Sequence, residues 1–278
     1  MALYNIQYHT ENNYNSEVSE GIFDFLIVPD SSIHQKVIKR SFYNSFHKDV
    51  FFYENKFGFE VIRLRTDEAF NRFELSADFE VEVGRVKPRS AEGDTSVEEW
   101  FTHAFHIRHH LYLYQTPVTE VSENKSDLLL LHQKGQTVLE YLDELNTYLN
   151  KLIKYEAYST QVGTNADEVL QIKKGVCQDY SHLFLHMARK SKIPCRYVSG
   201  YLDQGKNFMG SAQMHAWVEA FVPGCGWLGF DPTNNIRANG DHIKVAHGVD
   251  YRDCSPIRGV IKTNGENTTN HSVKVQEQ

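Results

Sequence analysis

Gly175-Val176-Cys177-Gln178-Asp179-Tyr180-Ser181-His182 decides how this chain is read. Gly175 lets the backbone turn tightly. From Cys177 onward, Tyr180, Leu183, Phe184, Met187 and Ala188 recur at three- and four-residue spacing, the single apolar stripe of a helix. Pro194, after Ile193, ends it. Cys177 thus stands at a helix N-terminus, where the positive end of the dipole favours a thiolate. The alternative for such a cysteine is a small buried hydrophobe.

Two later segments supply partners. In Met214-His215-Ala216-Trp217-Val218-Glu219-Ala220-Phe221-Val222, strand alternation puts Met214, Ala216, Val218, Ala220 and Val222 on a core face. His215, Trp217, Glu219 and Phe221 occupy the other face, where a histidine can meet a cleft. Asp231 ends the next strand, after the turn Pro223-Gly224-Cys225-Gly226. If Val222 faced Trp227, Asp231 would lie opposite Val218, on the wrong side. A one-residue shift sets Asp231 opposite Trp217, diagonal to His215 on one face. The reading therefore requires a three- or five-residue loop, or a bulge. Cys177, His215 and Asp231 together form a set for covalent acyl transfer: nucleophile, base, and a carboxylate that fixes the tautomer.

Upstream, Val138, Leu142, Leu145, Leu149 and Leu152 predict a helix over 137–155. A short helix is expected from Thr164, its N-cap, with Asp167 and Glu168 in the first turn. Strands are expected at 195–202, 214–222 and 227–231. Before about residue 90, apolar residues alternate: Tyr4, Ile6 and Tyr8; Phe23, Phe25 and Ile27; Phe57, Phe59 and Val61; Phe79, Val81 and Val83. With Tyr 15 and Phe 17 in the chain, this pattern predicts an antiparallel sandwich-like domain. The expected fold class is α+β, in three parts. These are an N-terminal β-rich domain over 1–90, a catalytic domain over 97–262 in which the cysteine helix packs on an antiparallel sheet, and a loose polar tail over 263–278. A linker from Gly84 to Ser96 carries Pro88, Gly93 and Asp94.

With 278 residues, the chain can hold one large or two modest domains. The net charge of -7 argues against a nucleic-acid or anionic-membrane partner. No apolar run of membrane length occurs, and the N-terminus has no features of a secretory signal. The four cysteines form no C-x-x-C pair and are too few for a disulfide scaffold, which points to reduced thiols in the cytoplasm. His103, His106, His109 and His110 could ligate a metal, with His106 and His110 at i, i+4. No carboxylate or cysteine nearby completes a site, so a structural role is expected. The segment 209–213 is expected as a loop beside the cleft.

Four segments in order resemble the bacterial transglutaminase-like proteins: Gly175–Asp179, Ile193–Leu202, His215–Glu219, and Gly226-Trp227 with Asp231-Pro232-Thr233-Asn234. His242–Tyr251 and Ser255–Val260 extend the resemblance, which covers roughly residues 1–262. It implies a papain-like core preceded by a β domain, and it carries the triad over to Cys177, His215 and Asp231. This chain departs from the usual pattern at Cys195, where alanine is usual, and at Val249, where arginine is usual. The implied function is a cysteine-dependent hydrolase of peptide or isopeptide amides working through a thioester, without metal or organic cofactor. Protein-glutamine acyl transfer on the same triad, or a non-catalytic binding module that keeps the fold, are the alternatives. A peptide or protein substrate is implied; substrate identity and oligomeric state are not.

Overall fold

Apolar and polar residues alternate in several stretches of the first 84 positions, and the backbone there is extended to match. The computed structural model describes residues 1–84, 96 and 102–278; most of the expected linker and the boundary at 97 lie outside these. Six strands come first: β1 (Ala2–Val18), β2 (Glu20–Phe25), β3 (Gln35–Asn44), β4 (Phe51–Glu54), β5 (Glu60–Thr66) and β6 (Phe70–Val83). β1 pairs with β6 and β6 with β3; β2 pairs with β5 and β5 with β4, all antiparallel. Tyr4, Ile6, Tyr8, Phe79 and Val81 are buried, as are Phe23, Phe25 and Phe73. The Phe23 and Phe73 rings stack at 4.7 Å. Burial of each such side chain contributes roughly 1.5–3 kcal/mol. β3 and β4 escaped the sequence reading because they are largely exposed and have no clean alternation. Phe57 belongs to the turn before β5, where the Asn55 side chain accepts from two backbone N–H groups.

The second half begins with α1 (His103–Arg108) and α2 (Val138–Leu152). Thr137 caps α2 and Glu140 closes a capping box. The helix stops three residues short of the expected end, because Lys154–Tyr155 forms β7. α3 (Ala166–Ile172) is capped by Asn165 rather than Thr164, with Glu168 reciprocating; the Thr164 hydroxyl instead accepts from Gln161 N–H. β8 (Lys174–Gly175) pairs in parallel with β7 and leads into α4 (Cys177–Lys190). Then follow β9 (Cys195–Leu202), β10 (His215–Val222), β11 (Gly226–Asp231), β12 (Ile236–Arg237) and β13 (His242–Gly248). They form one antiparallel sheet in the order β12-β11-β10-β9-β13. Ala216, Val218 and Ala220 share a core with the buried stripe of α4. Val222 pairs with Gly226 and Val218 with Phe230. The hairpin loop therefore has three residues, one of the two lengths expected, and the register continues to set Asp231 opposite Trp217.

After α5 (Tyr251–Cys254), the chain returns to the β domain as β14 (Ile257–Lys262) and β15 (Asn267–Glu277). The sandwich sheets are β15-β1-β6-β3 and β14-β2-β5-β4. Residues 263–278 are thus not a loose tail. β15 pairs with β1 over eleven positions, Tyr4↔Glu277 to Tyr14↔Asn267. Val273 and Val275 point inward and are buried, while Ser272, Lys274 and Gln276 face outward. An edge strand with one solvated face has this composition, and its two valines were too short a signal to separate it from coil. β14 likewise moves the end of the expected 97–262 domain into the sandwich.

Candidate functional site

Cys177 is the first residue of α4 and is partly exposed, whereas Cys195, Cys225 and Cys254 are buried. The entry into α4 is fixed by Asp179, whose carboxylate accepts from Val176 N–H at 2.7 Å and from the Thr160 hydroxyl at 2.6 Å. Burial pushes the Asp179 pKa up, against the pull of those two bonds. A Cβ on Gly175 would lie 2.6 Å from that carboxylate, so the close approach requires glycine.

His215 opens β10 and is buried. Its Nε2 donates to Asp231 Oδ2 at 2.8 Å. A carboxylate only accepts, so Nε2 carries the proton and Nδ1 is the acceptor in the neutral ring. Nδ1 makes no hydrogen bond of ordinary geometry. Gly210, at φ +81, lies beside it; a Cβ there would be 2.9 Å from Nδ1 and 3.7 Å from the Tyr155 hydroxyl. Burial alone would lower the His215 pKa. The charge and hydrogen bond of Asp231, followed by those of Cys177, outweigh it and raise the pKa to about 10. Cys177 therefore interacts with the same imidazole that Asp231 holds.

Asp231 is fully buried and surrounded by donors. Oδ2 accepts from His215, from His242 Nε2 at 3.2 Å and from Asn234 Nδ2 at 2.9 Å; Oδ1 accepts from the backbone N–H of Thr233 and Asn234. Burial would raise its pKa, yet the charge and hydrogen bond of His215, with His242 behind it, hold the carboxyl far below the usual range. The three residues singled out from sequence are thus brought together, the Asp231–His215 pair by a direct bond.

Two residues of this cluster were quoted as motif letters but given no role by sequence reasoning. His242 opens β13 and is the second imidazole on Asp231 Oδ2. Asn234 binds Asp231 and also clasps the loop carrying Gly210: Met209 N–H donates to its Oδ1 at 2.8 Å, and its Nδ2 donates to Met209 O. An asparagine three residues after an aspartate in a turn was the available signal. The same loop is tied to the returning strand β15, since Val273 N–H donates to Ala212 O and Gln204 Nε2 donates to Ser211 O and Val273 O.

Among the described residues, ligand atoms of His215, Asp231 and His242 are the one cluster close enough to suggest a metal. Both imidazole Nε2 atoms instead donate to a single carboxylate oxygen at 2.8 and 3.2 Å, so hydrogen bonds alone account for their convergence. His109 instead stacks on Phe105 at 4.1 Å and bonds its backbone carbonyl, and His110 bonds Ile107 O. Val249 is buried, and its carbonyl accepts from the buried Arg189. Among the described residues, no helix is long and apolar enough to cross a membrane.

Residues 130–232 match the family model of the transglutaminase-like superfamily. An uncharacterised protein of Mycobacterium tuberculosis is 37% identical over 140 residues, covering 47% of this chain and 45% of that protein. A protein-glutamine gamma-glutamyltransferase of Pseudomonas aeruginosa is 34% identical over 76 residues, 25% of this chain and 11% of the relative. The chain spans less than half the length of the curated relatives it matches. A crystal structure of a candidate cysteine protease from Cytophaga hutchinsonii superposes with a TM-score of 0.80 over 99% of this chain and 90% of that one, at 20% identity. The fold is thus that of a transglutaminase-like, papain-like core joined to a β domain.

Proposed function

We propose that this transglutaminase-like core is a cysteine-dependent amide hydrolase acting on peptide or isopeptide bonds. The observation that carries the reading is the buried Asp231–His215 pair, whose other ring nitrogen is left for the thiol at the N-terminus of α4. In the reading, His215 takes the Cys177 proton and the two rest as a thiolate–imidazolium pair, which Asp231 stabilises. The sulfur attacks the amide carbon, forming the S–C bond and placing charge on the carbonyl oxygen. The backbone N–H of Cys177 receives that oxyanion.

The Tyr155 hydroxyl is our assignment for the second donor. Its strand partner is Gly175, it makes no hydrogen bond among the described residues, and its pKa is raised first by burial and then by the Cys177 charge. The imidazolium protonates the departing amine as the C–N bond breaks, leaving a thioester. Water, deprotonated by the now neutral His215, then attacks the thioester, releasing a carboxylate and the thiol.

If an amine replaces water, the product is a new amide. The similarity to a protein-glutamine gamma-glutamyltransferase keeps this second reading open. A peptide or protein is the proposed substrate, and the proposed setting is the cytoplasm, in keeping with four cysteines that form no disulfide. A screen of peptide and isopeptide substrates against wild type and Cys177→Ala tests the proposal: turnover by wild type alone supports it, and turnover by Cys177→Ala refutes the nucleophile. A glutamine peptide with a labelled primary amine separates the outcomes. Amine incorporation exceeding ammonia release overturns the preference for hydrolysis.

A further inference from the structure

Trp217, stacked on the His215 ring, and His242, bonded to Asp231, also line a separate cavity of about 830 Å³. Neither Cys177 nor His215 lines it. It lies between the β domain, which contributes Asp30, Gln35 and Val83, and the face of the five-stranded sheet opposite α4. Its size suits a drug-sized molecule. The partly exposed Trp227 gives it an apolar wall, and Trp217 is buried beside it.

Its floor is a row of cross-strand charges. Arg196 on β9 sits directly opposite Glu219 on β10. Arg196 Nε and Nη2 both reach Glu219 Oε2 at 2.6 Å, and Lys244 Nζ reaches both Glu219 oxygens at 2.9 and 2.7 Å. The Arg196 guanidinium lies 4.3 Å over the Trp227 ring. Its Nη1 points at His247 Nε2, 3.3 Å away. A guanidinium only donates, so His247 must accept at Nε2 and carry its proton on Nδ1. That buried N–H has no acceptor.

A guanidinium has five N–H bonds and an ammonium three, so both Arg196 and Lys244 retain donors after serving Glu219. One carboxylate is shared by two cations. Burial works against the charge of the other acid of the lining, Asp30, and likewise against that of Lys244. The floor therefore presents donors in excess of acceptors, beside the Trp227 indole.

We propose that this cavity binds an aromatic carboxylate, its ring against Trp227 and its anion on the Arg196–Lys244–His247 floor. The site does not depend on thiol chemistry, so it stands or falls separately from the proposed hydrolase. Two of the three tryptophans line the cavity, which makes intrinsic fluorescence a direct readout.

The test titrates the full chain with N-acetylphenylalanine, its amide, and phenethylamine. The expected result is a saturable fluorescence change for the acid, with the amide and amine at least about tenfold weaker for want of a charge-assisted hydrogen bond. Cys177→Ala should bind the acid as wild type does. Ala238→Trp, which adds bulk to the cavity lining without removing a polar group, should abolish binding at an unchanged melting temperature. If Ala238→Trp does not fold, His247→Phe should weaken the acid several-fold and leave the amide unaffected. Equal binding of the three probes overturns the proposal. So does the absence of any saturable change, acid binding that survives Ala238→Trp, or unaltered acid affinity in His247→Phe.

Discussion

Replacing Asp231 with asparagine changes one atom of the cluster, and its consequences can be worked through. All five groups around the carboxylate are donors: His215 Nε2, His242 Nε2, Asn234 Nδ2 and two backbone N–H groups. An asparagine must turn its NH2 toward one set of them. Facing the backbone pair, it sets donors against donors. Facing the histidines, it forces His215 to accept at Nε2, which leaves the ring neutral with its one proton on Nδ1 and unable to take the thiol's proton.

The rise of the His215 pKa from 6.5 to about 10 corresponds to roughly 4–5 kcal/mol of preference for the imidazolium, with Asp231 the larger favourable contributor. Breaking a buried pair by removing one charge costs a similar ~3–5 kcal/mol. Asparagine keeps part of the network, so we expect about 3 kcal/mol of destabilisation. For a chain of this size that is a fall of roughly 6–12 °C in melting temperature. The pH window follows from the two pKa directions. The contribution of His215, whose folded pKa is raised, is complete below about 6.5 and fades as pH rises through about 10. That of Asp231, held low, is present above about 4. The stability gap between wild type and Asp231→Asn should therefore be widest near pH 5–6 and shrink toward pH 10. Thermal melts across that range measure it, and nitrogen-resolved NMR of the histidines reads which ring nitrogens carry protons. An unchanged His215 protonation pattern together with a pH-independent stability gap would refute the reasoning.

Gly210→Ala should cost about 1–2 kcal/mol, because its φ of +81 disfavours any Cβ; the methyl would also press on His215 Nδ1. It should therefore slow Cys177 alkylation more than its stability loss explains, and alkylation at the wild-type rate would count against Nδ1 as the thiol's partner. Tyr155→Phe removes a hydroxyl and no packing, so kcat should drop by roughly tenfold to a thousandfold with the melting temperature unchanged; an unaltered kcat would remove Tyr155 from the oxyanion site. Val275→Asp buries a charge in the β15 edge of the sandwich and should destabilise by at least about 3 kcal/mol in denaturant titration. A near-neutral outcome would mean the C-terminal strand is dispensable. Where amide cleavage is measurable, its alkaline limb should lie near pH 10, where His215 loses its proton, rather than near 6.5.

The helix bearing Cys177 and the hairpin bearing His215 and Asp231 were legible because each rests on local pattern. An apolar stripe gives α4, and side-chain alternation plus loop length gives the β10–β11 register. Residues serving contacts distant in sequence were not legible. His242 reaches Asp231 only because β13 pairs with β9, and Asn234 gains its second role because the Met209 loop folds back onto it. The C-terminal strand carries two inward valines among polar residues, and nothing local indicates that β1 awaits them some 260 residues earlier. The α3 cap shows the limits of propensity: Thr164 and Asn165 are both good caps, and the reciprocal Glu168 bond selects the second.

The most direct test of the account is the rate of Cys177 alkylation by iodoacetamide at pH 6, followed residue by residue by mass spectrometry in wild type and His215→Ala. The account predicts that Cys177 in wild type reacts faster than free cysteine, and that His215→Ala removes the advantage while the fold persists. Reaction of Cys177 at the same rate in both proteins would contradict it.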